Sequence, residues 1–215
     1  MALLRGRGVG IAATRRPRAA RGEGERLRGE ILRAAERLLI DKGSADAVSI
    51  RGVATSVGVT PPSIYLHFED KDELIFAVCQ EQFQRLESLI DAALEGIDDP
   101  LERLRKMGET YVRFGVEHPE QYRILLMGKG EVSIEDFQDG RMAGVSTFQR
   151  LMSSIEACMD AGIFARQDVF LVATGIWTLV HGVTSMRITI PEFPFVGEQA
   201  LLDHVLDTYA RGLAP

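Results

Sequence analysis

The chain has 215 residues, 46% of them hydrophobic and 26% charged, enough for one large domain or two small ones with a substantial core. No apolar run reaches the roughly 18 residues of a membrane span, so we expect a soluble cytoplasmic protein with no membrane partner. Cys79 and Cys158 lie far apart without metal-site spacing, which favours two reduced, buried thiols over a disulfide or a metal site.

The net charge of −6 is unevenly distributed along the chain. Residues 1–30 hold eight arginines and three glutamates, a net +5, so the remaining 185 residues carry −11. A positive end is attracted to phosphate and a negative body is repelled by it, which orients a protein on a polyanion and makes binding salt-dependent.

Residues 1–24 form a basic extension rich in glycine, alanine and arginine, without apolar periodicity, and we predict that it is disordered. A signal peptide is disfavoured because the apolar core of about seven residues that it needs is missing. Two interpretations stay open. A start site assigned too far upstream would leave a tail without function, and a basic arm that reaches along a duplex would give the tail a role.

Residues 25–70 are predicted to form three short helices. In the first, Arg26–Lys42, apolar residues recur at helical spacing, and Gly43 ends it. The second follows Ser49 and ends at Gly58, because a glycine just past a helix adopts the left-handed conformation that other side chains resist.

The third predicted helix spans Thr60–His67. Thr60 lies at the N-cap position, where its hydroxyl is expected to accept a backbone N–H, and Pro61 lies at the first helical position. A helix, a glycine turn and a capped second helix form a helix-turn-helix unit, which offers its second helix to the DNA major groove.

The residues after the glycine turn follow the pattern S/T-x-Y-x-H-F-x-x-K-x-x-L. They are Ser63, Ile64, Tyr65, His67, Phe68, Lys71 and Leu74. Here the chain resembles the DNA-binding domain of the TetR family of bacterial repressors, over residues 27–74. It departs from the family pattern at Pro62, where glycine is frequent, and at Leu66, where polar residues are commoner; both departures concern the operator sequence more than the fold.

The resemblance implies a set of DNA contacts. Phosphate contacts are implied for Tyr65, His67 and Lys71, with Ser49 and Arg51 contributing from the preceding helix. Lys71 also lies in the first turn of a helix, whose free N–H groups attract anions. Candidates for contact with base edges are the residues on the outer face of the third helix: Thr60, Pro62, Ser63 and Leu66.

Residues 71–215 are predicted to form a helical domain for effector binding and dimerisation. Asp70 can cap a continuous helix, Lys71–Leu94, that links the DNA-binding module to this domain. The remaining predicted helices are Leu101–Glu117, Glu120–Met127, Glu135–Ala161, Gln167–Ile188 and Glu198–Leu213. No β pattern appears in the sequence, so the predicted class is all-α.

A second pattern surrounds the single tryptophan, where Trp177 precedes His181 and Gly182. This segment and Glu117–Gly128 resemble the C-terminal ligand-binding domain of a Trp-His-Gly subset of the TetR family. Inward residues that suit an apolar pocket with a few polar groups are Met107, Tyr111, Phe114, Tyr122, Phe148, Met152, Trp177 and His181. We expect a small, mainly hydrophobic effector of unknown identity, although ordinary core packing also accounts for each of these residues taken singly.

The expected DNA-binding geometry requires two copies of the chain. One helix in one groove reads only a few base pairs, so specificity calls for a homodimer on a two-fold operator. The last two predicted helices are the expected interface, and small residues would let them approach closely: Gly175, Thr178, Gly182 and Ser185.

The sequence therefore favours a repressor that an effector releases from double-stranded operator DNA. An enzyme is disfavoured because no nucleophile with a base and no phosphate-binding glycine loop is visible. No cofactor or metal is expected, since His67, His118 and His204 lie on unrelated segments. A helical module that binds another protein remains the alternative, and strong salt dependence of binding to DNA fragments separates the two.

Overall fold

The computed structural model describes residues 23–126, 139, 143–194 and 196–215. These residues form nine α-helices and a 3₁₀ turn, Ala45–Ala47, and none of them forms a strand, so the all-α prediction is confirmed. The helices are α1 (Glu23–Lys42), α2 (Ile50–Val57), α3 (Pro61–Ile64), α4 (Lys71–Leu94), α5 (Pro100–Glu117), α6 (Pro119–Leu126), α7 (Val145–Asp160), α8 (Val169–Thr189) and α9 (Glu198–Leu213).

Helices α1, α2 and α3 and the first two turns of α4 form the head of the molecule. Their apolar faces meet in one core, in which Ile31, Ile64 and Leu74 are fully buried and Phe68 is 2% exposed. Ser49 begins α2 by accepting a hydrogen bond from Gly52 N at 3.1 Å, and Gly58 ends it with φ 76°. The head therefore has the helix-turn-helix arrangement that its caps predict.

Two details of the third helix differ from the sequence prediction. Regular helix covers only Pro61–Ile64, and residues 65–67 continue as a tight turn that ends at the buried Phe68. Thr60 is at the N-cap position, but its side chain accepts no backbone N–H. Its hydroxyl lies 3.1 Å from Ser63 Oγ, so these two side chains hydrogen-bond to each other instead.

Helix α4 belongs to both halves of the molecule, with the bounds that the sequence predicts. Asp70 caps it by accepting a hydrogen bond from Glu73 N at 2.8 Å. Its first half contributes Leu74 and Val78 to the head core, and its second half contributes Ile90 to an apolar core in the rest of the chain. We call that remainder, the second half of α4 with α5 to α9, the body.

Helix α5 lies at the centre of the body and contacts α4, α6, α7 and α8. Asp99 and Asp168 begin α5 and α8, each accepting a hydrogen bond from the backbone N–H three residues on. The body has two neighbouring apolar cores, one around Val112 and Tyr122 and the other around Ile155 and Phe164. Helix α9 packs along α8.

The predicted helix Glu135–Ala161 is wrong at residues 143 and 144. Residues 143–144 form a turn, and helix α7 begins only at Val145. The reason is Gly144, which has φ 85° and lies against Phe83 so closely that a Cβ there would be 2.6 Å from the ring. Residues 127–138 and 140–142, which include most of the first turns of that predicted helix, lie outside the described part of the chain.

The predicted disordered extension, residues 1–24, also lies mostly outside the described residues. Helix α1 already includes Glu23 and Gly24, three residues before the predicted start at Arg26. Glu23 and Glu25 lie in the first turn of α1. Acidic residues there interact favourably with the N-terminal dipole of the helix, which accounts for the earlier start.

Helix α8 contains a longer apolar stretch than we expected from the sequence. An 18-residue window within it reaches a mean hydropathy of 1.5 and has the length and composition of a membrane span, with 33% of the window buried. We assign α8 to the body because it packs against α5, α7 and α9. Its hydroxyl side chains, such as Thr174 and Thr184, bond back to carbonyls one turn earlier.

Candidate nucleic-acid interface and internal cavity

The turn after α3 presents large side chains to solvent. Tyr65 is 54% exposed and Leu66 is 83% exposed, whereas Ile64, the residue before them, is fully buried. Thr60 and Pro62 are also exposed, and Ser63 and His67 are partly buried. The structure thus brings the predicted base-edge residues to one short, solvent-facing segment, where polar and apolar groups alternate.

A second group of predicted contacts lies at the N-termini of α2 and α4. Lys71 Nζ donates to Ala45 O at 3.4 Å, so the start of α4 lies beside the 3₁₀ turn that leads to Ser49. Arg51 is exposed in the first turn of α2. Hydroxyl, guanidinium and ammonium donors therefore lie on neighbouring helix ends, as phosphate contacts require.

The start of α4 offers fewer free N–H groups than predicted. Glu73 N donates to Asp70, and Glu69 N donates to the Glu73 carboxylate. These carboxylates already satisfy backbone donors that would otherwise face an anion. Attraction of phosphate at this end therefore depends on the Lys71 ammonium group.

The body encloses a cavity of about 490 Å³ between α4, α5, α6, α7 and α8. Four of the predicted effector residues line it: Met107, Tyr111, Phe148 and Trp177. Other residues of α4, α6, α7 and α8 also line the cavity, including Phe83, Leu125, Leu126, Thr147, Phe170 and Thr174. The described lining residues include no charged side chain.

The other four predicted effector residues do not line the cavity. Phe114 is buried in the core around Val112 and Tyr122, with its ring 5.3 Å from that of His118, and Met152 packs into the core around Ile155. Tyr122 is fully buried and lies with His181 behind Tyr111. Helical spacing places side chains on a face, but it does not tell which core that face enters.

Four side chains form a polar network at one end of the cavity. Trp177 Nε1 donates to the Tyr111 hydroxyl at 3.2 Å, and the Tyr111 and Tyr122 hydroxyls are 3.1 Å apart. His181 Nδ1 lies 2.7 Å from the Tyr122 hydroxyl and 3.3 Å from that of Tyr111. The network joins α5, α6 and α8, and Tyr111 connects it to the cavity.

Burial keeps this network neutral. Desolvation raises the pKa of Tyr111 well above its ordinary value and also raises the pKa of Tyr122. Desolvation lowers the pKa of His181 from its ordinary value of 6.5. At neutral pH the tyrosines are therefore phenols and the histidine is an uncharged imidazole.

Sequence reasoning missed several lining residues for identifiable reasons. Phe83 lies at an apolar position of α4, but nothing in the local sequence separates a residue of a cavity wall from a residue of a core. Phe170 is 51% exposed although it borders the cavity, so it lies at the rim. Ala143 and Gly144 were predicted to lie inside a helix, so they were not recognised as residues that line a cavity.

Other reactive groups in the described residues are isolated. Cys79 and Cys158 are unpaired, and burial raises the pKa of each thiol to about 11. No group of three or more histidine, cysteine, aspartate or glutamate side chains in this part of the chain is arranged to hold a metal ion.

Comparison with protein families gives two matches along the chain. The model for bacterial regulatory proteins of the tetR family matches residues 31–78. A model for the tetracyclin repressor-like C-terminal domain matches residues 104–209. The first match covers the head with the start of α4, and the second covers most of the body.

A curated relative is the HTH-type transcriptional activator FasR of Mycolicibacterium smegmatis. It is 31% identical over 153 residues, which are 68% of this chain and 64% of the relative. The chain therefore matches just under two thirds of the relative's length.

Solved structures share the fold along most of the chain. A TetR family transcription regulator from Marinobacter aquaeolei VT8 has a TM-score of 0.69 at 19% identity, covering 91% of this chain and 99% of its own. The fatty acid degradation regulator FadR from Bacillus halodurans has a TM-score of 0.69 at 18% identity, covering 86% and 98%. At these identities the likeness shows the fold alone.

Proposed function

Because this chain belongs to the tetR family of bacterial regulatory proteins, and so is a transcription regulator and not an enzyme, we propose that it is a ligand-responsive repressor. In this proposal it acts in the cytoplasm as a homodimer on a palindromic operator. A small, mainly hydrophobic effector that occupies the cavity releases it from the DNA.

The observation that carries the proposal is the double role of α4. Its first half lies in the head core through Leu74 and Val78, and its second half supplies Phe83 and Ile90 to the cavity wall. A ligand that favours a different position of Phe83 and Ile90 changes the angle of α4, and with it the separation of the two heads. The ligand shifts this equilibrium only by its differential affinity, typically about 1–3 kcal/mol.

The first experiment is selection of bound fragments from genomic DNA, followed by gel shift on the selected sequence. Retention is expected to fall steeply as salt rises, because each phosphate contact releases counterions. Binding without salt dependence, or no retained fragment at low ionic strength, would favour the protein-binding module instead.

Lys71→Ala is expected to weaken operator binding about five- to tenfold and to reduce the salt slope by about 1, because it removes one phosphate contact. Tyr65→Ala is expected to weaken binding through loss of an exposed ring and hydroxyl. Fluorescence anisotropy on labelled operator over a salt series measures both.

Lys106→Ala is the matched control for these variants, since it removes the same charge from α5 in the body, where Lys106 pairs with Glu109. Its affinity and salt slope should equal those of the wild type. If Lys71→Ala and Tyr65→Ala also behave like the wild type, the assigned phosphate surface is wrong.

The dimer interface that we propose is the outer face of α8 together with α9. Leu171 is 67% exposed there and Met186 is 46% exposed. Small side chains lie along the same helix at Thr178, Gly182 and Ser185, which permits close approach of a second copy. An exposed apolar helix face of this kind needs a covering surface.

Leu171→Glu is expected to raise the dissociation constant of the dimer at least about tenfold, because it places an unpaired charge in an apolar interface. Sedimentation velocity over a concentration series measures this. Leu89→Glu on α4 is the control, since Leu89 is similarly apolar and 41% exposed but lies outside the proposed face. If Leu171→Glu has the same dimer dissociation constant as the wild type, the interface does not include this face of α8.

Repression is the direction of control that we propose. Occupying an operator that overlaps a promoter needs only the DNA surface described above, whereas activation also needs a surface for the transcription machinery. The relative FasR is named an activator, so the direction needs its own measurement. A reporter driven by the selected operator should be more active when the gene for this protein is deleted.

A further inference from the structure

The cavity wall has very little hydrogen-bonding capacity to offer a ligand. Thr147 donates its hydroxyl to Glu87 at 2.8 Å, and Thr174 donates to Phe170 O at 2.8 Å. Trp177 Nε1 donates to Tyr111. Both threonine hydroxyls have used their protons and can only accept, whereas the Tyr111 hydroxyl can still donate or accept, because a phenol oxygen accepts two hydrogen bonds and donates one.

The network behind Tyr111 can run in either direction. If His181 carries its proton on Nε2, Tyr122 donates to Nδ1, Tyr111 donates to Tyr122, and Tyr111 offers the cavity an acceptor. If the proton is on Nδ1, His181 donates to Tyr122, Tyr122 donates to Tyr111, and the Tyr111 O–H is free to donate. Either neutral tautomer of His181 thus provides one hydrogen bond to a ligand.

A charged ligand group would meet no opposite charge among the described lining residues, which contain no lysine, arginine, histidine, aspartate or glutamate. Burying an unpaired ion is far less favourable than burying a hydroxyl or a carbonyl that finds one partner.

We propose that the effector is an uncharged, mainly hydrocarbon molecule whose single oxygen, a hydroxyl or a carbonyl, hydrogen-bonds to Tyr111. The cavity of about 490 Å³ holds about 16 groups of methylene size, if each takes the roughly 30 Å³ of a small group in a liquid. This inference rests on the proposed function, in which a ligand occupies the cavity.

The test compares three probes with the same hydrocarbon chain: decanol, decanoate and decylammonium, each below the concentration at which it aggregates. Trp177 is the only tryptophan and lies in the cavity wall, so its fluorescence reports occupancy without any DNA. Decanol is expected to bind at least about tenfold more tightly than either ion, since both ions would be buried without a partner. An ion that binds as tightly as decanol, or absence of binding by all three, overturns the proposal.

Tyr111→Phe tests the assigned oxygen contact. Calorimetry should show decanol binding weakened about fivefold or more, as for loss of one hydrogen bond, with little change for the two ions. Tyr209→Phe is the matched control, because it removes the same hydroxyl group from α9, outside the cavity wall. Equal weakening of decanol binding in both variants would remove Tyr111 from the recognition of the ligand oxygen.

Gel shift with the same probes separates this inference from the proposed function. If decanol binds best but leaves the operator complex intact, the release step fails and the ligand class stands. If an ion binds best and releases the DNA, the ligand class is overturned and the release step stands.

Discussion

Phe68→Ala is expected to unfold the head while the body stays folded. Phe68 is 2% exposed and lies where the turn after α3 meets the head core, with the Arg28 guanidinium 5.1 Å from its ring centre. Replacing a buried phenylalanine by alanine typically destabilises a domain by about 3–5 kcal/mol. That is a large share of the stability of a small three-helix module, so operator binding should be lost at moderate temperature.

Two signals follow the two halves of this variant separately. Operator anisotropy reports the head, and Trp177 fluorescence reports the body, because that tryptophan lies in the cavity wall. We expect the first signal to disappear and the second to keep its wild-type melting temperature, since the head and body cores are distinct clusters.

Phe76→Ala provides the control for Phe68→Ala. Phe76 lies on α4 and is 38% exposed, so removal of the same ring leaves no internal cavity. Its operator binding and thermal unfolding should stay close to those of the wild type. If Phe68→Ala lowers both signals together, the head and body unfold as one cooperative unit, contrary to this expectation.

The sequence predicted most helices because their ends are fixed by local chemistry. Asp70 caps α4 through its own side chain, and Gly58 ends α2 in the left-handed conformation. Such signals act within a few residues and need no tertiary information. The same locality explains why the predicted start of α4 agrees with the structure.

Prediction failed for two different reasons, one a contact distant in sequence and the other a choice between local partners. Helix α7 starts late because Gly144 packs against Phe83, a residue on α4 some sixty positions earlier. The hydroxyl of Thr60 prefers Ser63 to a backbone donor, a choice between two local partners that spacing does not settle.

The cavity illustrates the same limit. Residues with equal helical spacing divide between its wall, such as Met107, and the cores behind it, such as Phe114. The described wall contains aromatic side chains and Met107, and also aliphatic side chains, such as Leu151 and Val180, that the predicted set lacked. Which of them enclose space depends on how α5 is oriented against α7 and α8.

The network around Tyr122 shows how the wall of the cavity is supported. Tyr122 comes from α6, Tyr111 from α5 and His181 from α8, so three helices are joined by hydrogen bonds between neutral groups. Helix α6 also contacts α1 and α4, where Gln121 Nε2 donates to Glu36 at 3.5 Å. A movement of Tyr122 therefore reaches the head through α6 as well as through α4.

Gly115→Ala is expected to disturb this support more than any other single methyl group. A Cβ at Gly115 would lie 2.8 Å from the Tyr122 ring and closer still to Thr184 Cγ2. Tyr122 and Thr184 are both fully buried, so neither has free space to move into. Overpacking of this kind typically destabilises a protein by about 1–3 kcal/mol, which exceeds the roughly 1 kcal/mol that alanine gains over glycine inside a helix.

A net loss of about 1–2 kcal/mol lowers the melting temperature by about 2–8 °C, and binding of any cavity ligand should weaken, because Tyr122 would lose its position against His181. Gly212→Ala on α9 is the matched control, since nothing lies within 4 Å of the added methyl group, and it should melt at or slightly above the wild-type temperature. Calorimetric melting of both variants beside the wild type measures the difference. An unchanged melting temperature for Gly115→Ala would mean that α5 and α6 separate easily. In that case the Tyr111–Tyr122–His181 contacts could not hold the cavity wall in a fixed arrangement. Ligand binding would then have to affect the head through α4 alone.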